Sequence, residues 1–271
     1  MLNFNLRGTE HANHPCFGKN NEFIGHRTAE PCHRTTISDL CGRFALELGQ
    51  LSPEELAQRL KCNAKLALEN KLRYQDFFNE EHRIPAIMTY YGQAYKCLKA
   101  QTLSPSALAF ASHHLWILSF LYGMLRPTDR IHPYRLEGKM ALEAAGGKTM
   151  FAFWKPLLTD ILIDAVKADD GTLVHLATEE FEHLFDWKRI LKELHVVQPH
   201  FYVQKGDQLK NVTVYAKSCR GAMTRFILQN GIKRPEDLLA FEYEGFSVSP
   251  HSTMLLDSKA GLTELLWTLE A

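Results

Sequence analysis

The stretch VVQPHFYVQKGDQLKNVTVYAKSCRGAMTRFILQNG, Val196 to Gly231, decides the fold class. Val196 to Val203 reads as a buried strand. Gly206-Asp207 supplies a turn that pairs it with a second strand, in which Val212 and Val214 alternate with Thr213 and Tyr215. From Ser218 to Gln229 the spacing becomes helical; Asn230-Gly231 ends that helix and Pro235 starts another. Hairpin-paired strands interleaved with helices predict an α+β (mixed α/β) protein, one compact body around a mixed sheet.

Upstream, Leu173 to Ala177 reads as another buried strand, and Phe151 to Val166 is apolar at helical spacing, with Pro156 marking a kink or a start. Ser104-Pro105 opens a helix predicted over Ser106 to Tyr122. Ser52-Pro53-Glu54-Glu55 combines an N-cap, a Pro at the first helical position and a capping-box Glu. A second helix follows from Ala64 to Phe78. The pair forms a helix-turn-helix or helix-hairpin-helix candidate, although its turn at Cys62-Asn63 has no glycine. Near the N-terminus Leu2, Phe4 and Leu6 alternate as in a short edge strand.

At 271 residues and 45% hydrophobic content the chain can bury a core as one large domain or two closely packed lobes. It has no apolar run of the ~20 residues that a bilayer span requires, and Met1 to Asn20 has no signal-peptide core; we expect no membrane partner and a soluble, cytoplasmic protein. The six cysteines are scattered without a Cys-x-x-Cys pair, as free thiols in a reducing compartment would be. Formal net charge is zero. Acids nevertheless concentrate between Asp160 and Asp186, and bases between Lys205 and Arg234, so a basic face for an anionic ligand is compatible with neutrality.

Two segments concentrate chemistry. LYGMLRPTDRIHPYRLEGK, Leu121 to Lys139, sets Arg126, Arg130, Arg135, Tyr134 and Glu137 around Pro127 and Pro133, which enforce an extended loop; the apolar run before it is read as a buried helix that anchors the loop. YAKSCRGAMTRFI, Tyr215 to Ile227, runs from a predicted strand end into a helix start. Lys217 and Arg220 would stand there beside free N–H groups, with Arg225 further along the helix. Both readings stay open for these cations: phosphate binding, or structural pairing with Glu180 or Glu137. His113-His114 is read as core or surface. His11, His14, Cys16, His26, Cys32 and His33 fit no closed zinc spacing, so neither a metal site nor a cofactor is expected.

The block from Leu121 to Glu137 resembles the Leu-Tyr-Gly-x-Leu-Arg-Pro…Pro-Tyr-Arg-Leu-Glu motif of the bacterial YaaA family, the peroxide stress proteins. Tyr215 to Phe226 resembles the family's Tyr-Ala-Lys-x-x-Arg-Gly-x-Met-x-Arg-Phe motif. Phe153-Trp154, Leu176-Ala177-Thr178 with Glu180, and Phe241 with Glu244-Gly245 are weaker matches. On this basis residues 35–246 form a YaaA-like domain, between an irregular segment 1–34 and a divergent tail 247–271. The family's opening Ser-Pro-Ala-Lys is missing, the chain having Leu6-Arg7-Gly8-Thr9 instead.

The resemblance implies a cytoplasmic protein with a helix-hairpin-helix element and a basic cleft that binds DNA, double-stranded and without strong sequence preference. It also implies protection against peroxide by limiting iron-dependent damage. On this chain the cleft would draw on Arg126, Arg135, Lys217, Arg220 and Arg225, oriented by Tyr134, Glu137 and Glu180. The residues alone support two further readings. One is an enzyme acting on a phosphorylated or nucleotide-like small molecule in the same cleft; the other is an iron-handling or protein-interaction role for the N-terminal His/Cys residues.

Overall fold

The computed structural model describes residues 2–5, 32–250, 252 and 261–270. The described helices are α1 (Cys32–Gln50), α2 (Pro53–Arg59), α3 (Ala64–Gln75), the single turn α4 (Ala86–Thr89), α5 (Gln93–Leu98), α6 (Pro105–His114), α7 (Met150–Lys167), α8 (Trp187–Glu193) and α9 (Thr213–Asn230). The capping box before α2 is present: Ser52 accepts from Glu55 N–H at 3.1 Å, and Glu55 accepts from Ser52 N–H at 2.7 Å. Such a cap stabilises a helix by about 1 kcal/mol. Pro156 lies inside α7, so it neither starts nor ends that helix.

The described strands are β1 (Leu2–Asn5), β2 (Ile84–Pro85), β3 (Leu115–Ser119), β4 (Gly123–Leu125), β5 (Arg130–Ile131), β6 (Ala141–Leu142), β7 (Lys148–Thr149), β8 (Thr172–His175), β9 (His195–Lys205), β10 (Gln208–Lys210), β11 (Ser247–Val248) and β12 (Leu262–Glu270). The main sheet has the order β11-β12-β9-β8-β1-β3-β4, with β10 also on β9; β2 pairs with β5, and β6 with β7. β8, β9 and β12 are mutually parallel, and β1 runs antiparallel to both β3 and β8, so β3 shares their direction. The mixed sheet agrees with the predicted class.

Helices cover both faces. Leu115, Ile117, Val174, Val197 and Phe201 pack with Ala107 and Ala111 of α6 and Cys219, Met223 and Ile227 of α9. The alternate residues Trp116, Leu118, Leu173 and Val196 pack with Phe44, Leu48, Leu56, Trp154 and Leu162 from α1, α2 and α7. Each core strand is therefore apolar on both sides.

That double burial overturns one expectation. The predicted helix Ser106 to Tyr122 stops at His114, and Leu115 to Ser119, buried throughout, is a strand. An apolar run without alternation suits a strand covered on both faces as well as a buried helix. The N-terminal strand is likewise no edge: β1 lies between β3 and β8. The segment 247–271, expected to be a divergent tail, supplies β12, which runs beside β9 from Val196 to Gln204. The histidines and cysteine at 11, 14, 16 and 26, and Leu6, lie outside the described residues.

Candidate functional site

The Leu121–Lys139 loop leaves the sheet through a tight turn. Ser119 ends β3, and its hydroxyl accepts from Tyr122 N–H at 2.9 Å, reversing the chain into β4. Asp129 then accepts from Arg126 N–H at 2.7 Å, while Ala86 and Ile87 N–H groups donate to the carbonyls of Asp129 and Pro127. Backbone bonds thus pin the loop, which is anchored by a strand instead of the expected helix.

Arg126 turns inward. Its guanidinium donates to the carbonyls of His113 at 3.1 Å and Leu115 at 3.4 Å, and lies 3.3 Å from the centre of the Trp116 ring. It satisfies the open carbonyls at the end of α6 and gains a cation–π contact. Arg225 does the same for α5, donating to Leu98 and Lys99 carbonyls at 3.0 and 3.1 Å. Arg135 pairs with Glu137 at 2.7 Å on the half-exposed surface, an arrangement worth at most about 1 kcal/mol. Glu180 is exposed on the 3-10 turn after β8. Of these residues the structure brings Arg135 and Glu137 into direct contact.

Tyr134 sits in a hydroxyl network at the carboxyl end of β3. Its hydroxyl lies 2.6 Å from Ser119 Oγ and 3.3 Å from the Tyr90 hydroxyl, and Tyr90 stacks on Tyr95. Burial pushes the Tyr134 phenol above its usual range, so it stays neutral and keeps a hydroxyl that can donate a hydrogen bond. Tyr74 donates to the Arg135 carbonyl at 2.5 Å and ties α3 to this loop.

The second motif is built differently from its sequence reading. Thr213 to Tyr215 is helix, not strand: β10 ends at Lys210, Val212 is the N-cap, and Ala216 N–H already bonds to the Val212 carbonyl. The β-branched run favours a strand locally, but β10 has only a three-residue partner on β9, and packing of α9 against the sheet prevails. Lys217 and Arg220 therefore lie inside the helix, and the free N–H groups expected beside them are used within it. Arg220 and Lys217 are each partly exposed, and among the described residues neither has an acidic partner.

One group has no counterpart in the sequence reading. His175 closes β8, fully buried, with Nε2 3.3 Å from Glu182 Oε1 and its ring centre 4.6 Å from that of Trp187. Burial lowers its pKa and keeps the imidazole neutral. A histidine ending an apolar run carries no sequence signal of its own; the only hint is the acidic turn Glu179 to Glu182 behind it.

An open groove of about 820 Å³ lies elsewhere, lined by Lys139, Phe151, Lys155, Asp160, His183 and Arg189 among others. Arg189 pairs with Asp160 at 2.5 Å, and the groove gathers few of the motif residues. Among the described residues no group of three or more His, Cys, Asp and Glu is placed to hold a metal, and no helix is long and apolar enough to cross a membrane. Cys41, Cys62, Cys97 and Cys219 are free thiols.

Comparison with known proteins agrees with the motifs. A family model described as "Peroxide stress protein YaaA" matches residues 21–252. A UPF0246 protein of Phocaeicola vulgatus is 47% identical over 211 residues, covering 77% of this chain and 83% of the relative. One from Bacteroides fragilis is 47% identical over 203 residues, 74% and 79% of the two chains, and one from Porphyromonas gingivalis 40% over 226 residues, 81% and 88%. With most of its length matched and both motif blocks inside the match, the chain belongs to the YaaA family of peroxide stress proteins.

Proposed function

We propose that this protein serves the peroxide stress response by binding duplex DNA in the cytoplasm through its phosphates, without reading sequence, and by limiting iron-dependent oxidative damage to it. The observation that carries this reading is the α2–α3 pair. Arg59, Lys61 and Lys65 are all exposed around a turn of only four residues, 60–63. Lys61 adopts a left-handed φ of 48°, and Asn63 caps α3 by accepting from Leu66 N–H at 2.9 Å. The turn presents cationic side chains beside the N-terminal end of a 12-residue helix, whose dipole adds positive potential. This pair takes the part of a helix-hairpin-helix element, with the left-handed lysine where a glycine is usual. Phosphate contacts made this way give affinity without sequence information.

Fluorescence anisotropy of a labelled duplex at rising salt tests the proposal. Affinity should fall linearly on a log–log plot. The triple variant Arg59→Ala/Lys61→Ala/Lys65→Ala should lose about tenfold or more and flatten the slope by roughly 2–3, close to one unit per phosphate contact. Lys188→Ala/Lys192→Ala on α8 should change little. No binding at low salt, or an affinity that ignores salt, rejects the reading.

A second reading, an enzyme acting on a phosphorylated or nucleotide-like small molecule, is favoured by one observation. A neutral, buried histidine, His175, sits beside a carboxylate and within the electrostatic reach of Arg220, and acid–base catalysis uses such groupings.

A further inference from the structure

One face of α7 floors the groove of about 820 Å³. Phe151, Lys155 and Thr159 line it at intervals of four residues, the spacing that stacks side chains on one side of a helix. Phe151 is fixed in place there. Its N–H donates to the Gly138 carbonyl at 3.1 Å, and its ring fills the space that a side chain at Gly138 would take. The Phe120 and His183 rings meet it edge to face, with centres 5.4 and 5.3 Å away. The groove thus has a rigid aromatic wall.

Its acids are already engaged. Asp160 pairs with Arg189 at 2.5 Å, and Asp186 caps α8 by accepting from Arg189 N–H at 3.3 Å. Arg189 also holds Glu193 at 2.6 Å, so its charge is matched. Lys139 and Lys155, which line the same groove, are exposed, and among the described residues neither ammonium has an acceptor. They flank Phe151: Lys139 follows the glycine bonded to it, and Lys155 stands one turn further along its helix. Two unpaired ammonium groups match a phosphate monoester, with its charge of roughly −1.5 to −2, better than a singly charged carboxylate.

Pro156 adds an acceptor. Inside α7 it has no N–H to give the carbonyl of Ala152, four residues earlier, and both residues line the groove. The floor therefore carries a main-chain oxygen whose usual helical donor is missing. A planar ring with an N–H on its edge, as a nucleobase has, supplies that donor; a plain phenyl ring does not.

We propose that this groove binds a nucleoside monophosphate, with its base packed on Phe151 and donating to the Ala152 carbonyl, and its phosphate on Lys139 and Lys155. A volume of about 820 Å³ suits such a molecule, since small-ligand sites run from about 300 to 1,000 Å³. The site shares no residue with the α2–α3 turn, so it stands or falls separately from duplex binding.

Calorimetric titration of the full chain with adenosine monophosphate should give saturable one-site binding. Adenosine, inorganic phosphate and phenyl phosphate each lack at least one of the contacts and should bind more weakly. Lys139→Ala/Lys155→Ala should weaken adenosine monophosphate binding about tenfold or more, on the scale of lost charge-assisted contacts, and should leave the urea midpoint unchanged because both side chains are exposed and unpaired. Arg59→Ala/Lys61→Ala/Lys65→Ala, which removes three cations elsewhere, should bind the nucleotide like the wild type. The proposal falls if adenosine monophosphate does not bind, if any of the three partial ligands binds as tightly, if Lys139→Ala/Lys155→Ala binds like the wild type, or if the triple variant loses as much affinity as this pair.

Discussion

A Cβ on Gly221 would stand 1.9 Å from the carbonyl oxygen of Ala94, so α5 and α9 meet backbone to backbone. This approach lets Gln93 donate to Ser218 Oγ at 2.8 Å and brings Arg225 to the Leu98 carbonyl. The glycine in the second motif is thus a packing residue that sets where α9 places Lys217 and Arg220.

Gly221→Ala should destabilise the protein by about 3 kcal/mol, since the intruding methyl meets rigid backbone on both sides, at the upper end of ordinary overpacking costs. Equilibrium urea unfolding measures it. A change below about 1 kcal/mol would mean that the two helices can part without cost.

Arg126→Ala and Arg225→Ala should each cost about 1.5–3 kcal/mol of stability, because each uncovers helix-end carbonyls that a charged donor had satisfied. Neither should alter the salt slope of duplex binding by a full unit. If instead the slope fell while the urea midpoint stayed constant, these arginines would face phosphate, as the sequence alone suggested.

Acidification should weaken the fold through its buried histidines. His114 stacks on Phe110 with ring centres 3.8 Å apart, and its Nδ1 lies 2.8 Å from the Phe110 carbonyl oxygen; burial pulls its pKa from 6.5 to about 4. His132 and His175 shift in the same direction. The unfolded chain takes up these protons near pH 6.5 and the native chain does so only at lower pH. Stability should therefore be level above that value and fall as pH drops towards about 4. Carboxylates with depressed pKa, such as Asp237, act lower still. Urea midpoints across this range should show the decline, with a shallower slope in His114→Gln; a flat profile contradicts neutral burial.

The hairpin at Gly206, with its left-handed φ of 59°, the stop at Gly231 and the capping box at Ser52 were all legible, because each is a local device whose chemistry lies within a few residues. The family was legible for a related reason, since its two motifs are contiguous blocks. The Leu115–Ser119 strand was not, because an apolar run is equally good as helix or strand until something covers both its faces. Nor was the central place of β1, which depends on partners about 110 and 170 residues away.

The sequence by itself determined the fold class, the helix starts capped at Ser52 and Ser104, the helix stop at Gly231 and the membership of the YaaA family, since propensity, capping and motif order are carried by neighbouring residues. Only the tertiary structure decided what the motif cations do. Arg126 and Arg225 close helix ends, Arg135 pairs with Glu137, and Arg220, among the described residues, has no acidic partner. A guanidinium looks the same in sequence whether it meets a carbonyl, a carboxylate or a ligand; its role follows from which acceptors the packing of β8, β9, α5 and α9 brings within reach.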